Sequence, residues 1–263
     1  LVDLALFASP RFTAALLAYA LSCFAMFGVY IFITQYLQQV QGLSPLQAGL
    51  ATLPWALSFI VGSLLTPRIA KYLSAVQVMV LGLGVAALGF ALQAAGLFVA
   101  GWPAVTLGSF VMGLGMAPVF TLGNDMIIAS APPERAGAAS ALSETASELS
   151  GALGIAVLGS VGMWLYRTLL HRAWPTGLDA ALEPLAASGL AGALNAHTQP
   201  GVPLPALVGA TQSSFTMALQ ITCVLGLACC VVAASLCRRR LRGCQQSNAR
   251  KLSAQRVGCK PKA

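Results

Sequence analysis

Ionisable side chains are scarce in this sequence. Only 8% of its 263 residues are Asp, Glu, Lys or Arg, where a water-soluble domain carries about 25%. That shortage excludes a fold whose whole surface is solvated by water. The 57% of hydrophobic residues and the mean hydropathy of +0.79 point to lipid as the surrounding solvent. Histidine is scarcer still, with His171 and His197 its only copies. No constellation for covalent catalysis can be assembled, so an enzyme is not expected. The seven cysteines form no Cys-x-x-Cys pair and no metal-type spacing, so neither a zinc site nor a disulfide framework is expected. Cys23, Cys223, Cys229 and Cys230 lie inside apolar runs, where Cys packs as a small hydrophobe. A basic-then-apolar leader is missing too, and the first residue is Leu1. The expectation is a piece of a longer protein.

What the sequence has instead is long apolar runs. Six can cross a hydrocarbon core, which takes roughly 20 residues: about 12–34, 46–66, 76–99, 104–128, 139–165 and 214–237. The expected fold is an all-α membrane protein of six transmembrane helices, with a lead-in at 1–11 and a long connection at 166–213. Pro175, Pro184, Pro200, Pro203 and Pro205 break that connection. Within it, 178–195 can form a short interfacial helix, with Asp179 and Glu183 as a solvated face and His171 and His197 solvated nearby. The basic tail, 238–263, holds nine of the fifteen Lys and Arg and no acid.

Cytoplasmic loops carry an excess of Lys and Arg, so the tail is assigned to the cytoplasmic side of the inner (plasma) membrane. An even number of spans puts the first residues there as well. Arg11, Arg68, Lys71 and Arg135 then share that side, while Arg167 and Arg172 lie opposite. Trp102, Trp164 and Trp174 become anchors at the outer interface. The tail reads as a topology anchor that attracts anionic membrane lipid. It has no interleaved aromatic residues, which argues against nucleic acid as a partner.

The fifth run carries Glu144 and Glu148. An acid at the centre of a membrane helix costs about 2.5 to 3.5 kcal/mol. Such residues face a bundle interior or a wet cavity and are functional candidates by default. Entry near Ala139 puts Glu144 roughly 8 Å and Glu148 roughly 14 Å into the core, the latter close to the middle of about 30 Å. Four residues apart, they share a face that continues through Gly151, Ile155 and Gly162. Beside it runs a strip of small residues, Ser143, Ser147 and Gly154, and opposite lie Leu142, Leu149 and Leu153. The small strip allows a neighbouring helix to approach closely. A carboxyl in a poorly solvated cavity prefers to hold a proton, and an arriving organic cation favours the ionised form and expels it. Exchange of proton for cation then needs only alternating access. The alternative is that the acids bind backbone groups or a buried Arg and lock the helix. No Lys or Arg lies deep in any other run.

Other candidates stay open between two readings. Asp125, in Gly123-Asn124-Asp125, can pair with Arg68, Lys71 or Arg135 and latch a gate, or cap a helix end and face water. Pro118, after Gly113 and Gly115, is a candidate bend, although Pro and Gly are simply frequent in membrane helices. In the first run, Met26, Phe27 and Tyr30 fall on one side with Cys23. They can line an apolar cavity, with Tyr30 offering cation–π contact, or pack against lipid; Trp55 shares the same choice.

With these residues in view, the chain resembles the C-terminal part of the fourteen-helix drug:proton antiporters of the major facilitator superfamily. The likeness is closest to exporters of quaternary ammonium compounds and methyl viologen. Leu1-Val-Asp-Leu-Ala-Leu-Phe7 looks like the segment before their ninth helix, and Gly42-Leu-Ser-Pro-Leu-Gln-Ala-Gly49 like the turn into the tenth. Ser130-Ala-Pro-Pro-Glu-Arg-Ala-Gly-Ala-Ala-Ser140 looks like the inner turn before the thirteenth. Ser147 to Val157 resembles that helix itself. The resemblance implies half of a transporter that exports lipophilic cations against proton entry. Its energy source would be the proton motive force, without a cofactor. Glu144 and Glu148 would be its coupling or cation-binding acids. It also implies a missing N-terminal half, eight helices with the family's loop and antiporter motifs, without which this chain would not transport. A transport-inactive remnant or subunit, and a facilitator of neutral or anionic metabolites, remain the alternatives.

Overall fold

A computed structural model describes residues 7, 9–99, 101–176, 179–189, 192 and 204–241. Most of the lead-in, parts of the long connection including His197, and the tail from 242 onward lie outside the described residues. Among the described residues there is no strand. Six helices are long and apolar enough to cross a membrane, so the protein is a multi-pass membrane protein.

Polar residues at the chain's turns start these helices. Helix α1, Pro10–Gln35, is capped by Ser9, whose side chain accepts from the Phe12 amide, and has Pro at its first position. It runs on through a π-helical turn, Tyr36–Val40. Helix α2, Pro45–Ile69, opens on a reciprocal cap: the Gln47 amide donates to Ser44 Oγ (3.3 Å) and the Ser44 amide to Gln47 Oε1 (2.9 Å). Helix α3, Ala75–Val99, repeats the device with Ser74 and Gln77. Gly101, with φ of 63°, turns the chain into α4, Trp102–Ala129. Helix α5, Ala136–Arg172, follows a short turn at Pro133–Arg135. A one-turn helix, α6, covers Glu183–Ala186, and α7, Leu204–Leu236, closes the bundle and ends in a π-helical turn at Cys237–Leu241.

Two elements exceed their expected limits. Helix α5 continues past 165 to Arg172, and α7 begins at Leu204 rather than 214. Part of the long connection folds onto these extensions. Tyr166 donates through its hydroxyl to the Ala186 carbonyl (2.7 Å), and Leu170, Leu182, Ala186 and Leu207 are buried in one cluster. Gln212 Nε2 reaches the Val40 carbonyl (3.1 Å). The described part of the connection therefore packs on α5 as a cap and includes the short helix at Glu183–Ala186. Glu183, expected to be solvated, contacts His171 Nδ1 at 2.7 Å. Trp174, expected as an interfacial anchor, packs against the core with its indole N–H buried and unpartnered, whereas Trp164 is well exposed.

Helix α1 is the central strut, packed on α4, α5 and α7. Its first turns meet the end of α7, with Ala14, Ala18, Ala233 and Cys237 in one cluster, so both ends of the bundle's chain lie together. We call this the tail end and the opposite one the loop end. Between helices the contacts are made by small residues. A Cβ on Gly154 would collide with the Phe24 backbone, and one on Gly28 with Gly154 and Leu158. A Cβ on Gly115 would meet Ala86 and Gly82, and one on Gly113 would meet Ser58 and Trp55. In lipid, where apolar burial does not drive helices together, such close approach supplies the attraction.

The α1–α5 crossing is testable. Gly154→Leu overpacks it and should lower the thermal midpoint of the detergent-solubilised protein by several degrees, in line with about 1–3 kcal/mol for overpacking. Gly159→Leu, on the same helix with open space where its Cβ would be, should leave the midpoint within a degree. Equal midpoints for the two variants would contradict the crossing described.

Candidate functional site

The crossing of α1 and α5 fixes where the two acids point. Helix α5 buries Ala139, Ser143, Gly151, Gly154, Leu158 and Gly162, most of them on the side that meets α1. Glu144 and Glu148 fall just beside that strip and are exposed. They are not on the leucine side, where Leu149 and Leu153 are well exposed. Leu142, read with those leucines, packs partly against the cluster around Phe12 and Tyr19.

Their neighbours are polar or aromatic. Ser147, between them, contacts Cys23 Sγ at 3.4 Å, and Ser143 Oγ donates to Asn124 Oδ1 of α4 (2.9 Å). Tyr19 lies within electrostatic reach of Glu144, and Cys23 within reach of both acids. These contacts also give depth. Cys23 stands midway along the charge-free stretch from Phe12 to Thr34, so Ser147 and the adjacent Glu148 are level with the middle of α1, and Glu144 lies about one turn nearer the tail end. No hydrogen bond or ion pair engages either carboxylate among the described residues.

The acids border an open groove. Its floor is α1 and α4; α2 and α5 stand at its sides and do not form a packed pair among the described residues. Five aromatic rings cross it in a row. Tyr30 of α1 lies 6.1 Å from Trp55 of α2, Trp55 is 5.8 Å from Phe59, Phe59 is 5.6 Å from Phe120 of α4, and Phe120 is 5.1 Å from Tyr19. Such ring spacings lie within the range of favourable aromatic pairs. The row therefore ends at Tyr19, within electrostatic reach of Glu144. Phe27 packs on Gly151, one turn from Glu148.

The candidates distribute unequally over this geometry. Phe27 and Tyr30 are exposed on the groove floor, whereas Met26 is buried in the core. Asp125, Arg68 and Arg135 are all exposed at the tail end, and no ion pair joins Asp125 to Arg68. Pro118 and Gly115 lie in an uninterrupted α4 and pack against Gly82 of α3. Phe59, Phe120 and Tyr19 of the aromatic row, and Asn124, were not singled out from the sequence. Their signal is only that aromatic residues recur on three different helices, and nothing local says that the three faces converge. A buried polar tie was also missed. Gln93 of α3, fully buried, donates to Ser109 Oγ of α4 (2.9 Å) and faces Cys223 Sγ of α7 (3.7 Å).

If the acid face meets water and the leucine face meets lipid, thiol chemistry separates them. In a background lacking native cysteines, Glu144→Cys and Glu148→Cys should react with a water-soluble, membrane-impermeant maleimide, and Leu149→Cys and Leu153→Cys should not. Equal labelling of both faces would remove the distinction.

Residues 3–155 match the Major Facilitator Superfamily. The chain is 35% identical over 240 residues to the multidrug efflux pump LfrA of Mycolicibacterium smegmatis, covering 90% of this chain and 47% of that protein. It is 33% identical over 159 residues to the tetracenomycin C resistance and export protein of Streptomyces glaucescens, covering 60% and 30%. It is 29% identical over 179 residues to the multidrug export protein EmrB of Escherichia coli, covering 66% and 34%. The matched stretch thus spans about half the length of the first relative and about a third of the other two.

Proposed function

The chain belongs to the Major Facilitator Superfamily, and from that premise we propose that it forms one six-helix half of a proton-coupled exporter of small hydrophobic, cationic compounds. The observation that carries this reading is the pair of exposed carboxylates, without a partner among the described residues, on a membrane-length helix near a row of aromatic rings. An acid kept there costs about 2.5 to 3.5 kcal/mol. Neither carboxylate returns that cost through a hydrogen bond or a fixed cation among the described residues. A role in binding gives the expense a reason. The relatives' names, multidrug efflux pump and export protein, support the direction of transport.

In this mechanism Glu148, level with the middle of α1, is the group at which proton and substrate compete. A lipophilic cation entering the groove lies against the aromatic row, where ring faces attract positive charge. It favours the ionised carboxylate, and the proton leaves. Glu144, one turn nearer the tail end, passes the proton onward or shares the cation. A second half of the transporter covers the groove, and rocking of the two halves exposes it alternately to each side. The proton motive force is the energy source. The exposed Arg68, Lys71, Arg238 and Arg239 at the tail end, against Arg167 and Arg172 at the loop end, support a cytoplasmic tail.

Export of a fluorescent quaternary cation from cells expressing the full gene product tests this. Glu148→Gln should lower the proton-dependent rate at least tenfold. Glu144→Gln should lower it less, with both proteins present at wild-type levels in the membrane. Wild-type export by Glu148→Gln would sink the assignment. Export of neutral dyes but not cationic ones by the wild-type protein would redirect it to a neutral-substrate facilitator.

A further inference from the structure

A second opening lies between α2 and α3, away from the acids. Each of these helices packs on α4, but they do not form a packed pair with each other among the described residues. The gap is a crevice of about 230 Å³ lined by α2, α3 and α4 alone, with Leu65, Ile69, Val78, Leu81 and Leu114 as its apolar walls. Gly62, Gly82 and Gly115 belong to its lining and mark where α2 and α3 meet α4 closely: a Cβ on Gly62 would collide with Ala117, and one on Gly82 with the Gly115 carbonyl and Pro118. The hydroxyl of Thr66, also in the lining, is already committed to the Gly62 carbonyl (2.7 Å). The walls therefore offer no free polar group from a side chain, and the occupant they suit is a hydrocarbon chain.

The tail-end mouth has the opposite character. Ile69 and Val78 are the last lining residues of α2 and α3, and the turn that joins them carries Lys71 and the highly exposed Tyr72. Arg68 precedes Ile69 in the last turn of α2. Arg68 and Lys71 are exposed, and among the described residues neither side chain makes a hydrogen bond or ion pair. Asp125, seven residues after Pro118 on the same face of α4, is exposed and unpaired as well. Even with this acid counted, the two cations leave a positive balance.

We propose that this crevice is a binding site for an anionic phospholipid, one acyl chain lying between α2 and α3 and the phosphate held by Arg68 and Lys71. An apolar slot ending in unpaired cations at the membrane surface complements an anionic lipid and no soluble ligand. The site is separate from the groove, so it stands whether or not the transport mechanism does.

The test is thermal unfolding of the purified protein in detergent supplemented with phosphatidylglycerol or phosphatidylcholine. Phosphatidylglycerol should raise the midpoint by about 4 °C over phosphatidylcholine. Native mass spectrometry should retain one such lipid. Arg68→Gln with Lys71→Gln should abolish both effects through the headgroup. Leu81→Trp, which fills the crevice from an exposed position, should abolish them through the chain. Neutralising Arg167 and Arg172 at the loop end should change neither. Equal midpoints in the two lipids would overturn the site. So would a difference that survives either tail-end variant, or one that is lost equally in the loop-end variant.

Discussion

The close approach of α5 to α1 is the contact on which the rest of this structure depends. Gly154 lies on the Phe24 backbone, Gly28 on Gly154, and Gly151 and Gly162 under Phe27 and Phe32. Each contact exists because a side chain is absent. In water such a seam would be reinforced by apolar burial, but lipid tails are as apolar as the side chains they replace, so packing has to hold the helices. The same seam sets the rotation of α5. With its small strip turned into α1, the residues one step around the helix face the edge of the groove, and those residues are Glu144 and Glu148. The helix that carries the charge is therefore aimed by residues that carry none.

Polar groups inside this bundle fall into two kinds. Gln93 is fully buried and bonded to Ser109. Hydrogen bonds of this sort between membrane helices average about 0.6 kcal/mol, so this one is a modest tie holding α3 to α4. The hydroxyls of Thr66, Thr121 and Thr222 return to carbonyls of their own helices. The two glutamates do neither. Partnerless polar atoms also occur in the core, at the Trp55 and Trp174 indole nitrogens, Thr106 Oγ1 and Gln220 Nε2. What separates the two glutamates is charge on an exposed face of a membrane-length helix, with no partner among the described residues.

The helices were legible because lipid simplifies the code. A run of apolar residues without charge has one solution in a bilayer, and six such runs give six spans. The acids were legible for the same reason, since a charge in such a run stands out. The ends of α5 and α7 were not legible. Tyr166 to Arg172 and Leu204 to Ser213 belong to stretches whose composition suits a loop, and their helicity rests on the cap formed by Tyr166, Leu170, Leu182 and Ala186. That is tertiary contact across the connection, which no local pattern carries. The aromatic row was hidden likewise, because Tyr19, Phe59 and Phe120 belong to three helices and become neighbours only when those helices pack.

The groove explains why so much of the bundle's exposed surface is unlike a lipid-facing surface. Lipid requires only that a face be apolar, which α2 satisfies with Leu50, Leu53, Leu57, Ile60 and Leu64, all well exposed. A face meeting alternating water and organic solute needs rings, small residues and a few ionisable groups together. The floor and edge of the groove have that mixture, in Tyr30, Phe27, Ser147, Glu144 and Glu148. Such a surface is poor as a lipid contact and, with two unpaired acids, poor as a packed interface. Ionisable groups on a membrane-length helix face a bundle interior or a water-filled cavity. The composition of that one face therefore argues for a cavity that water reaches, even before any substrate is considered.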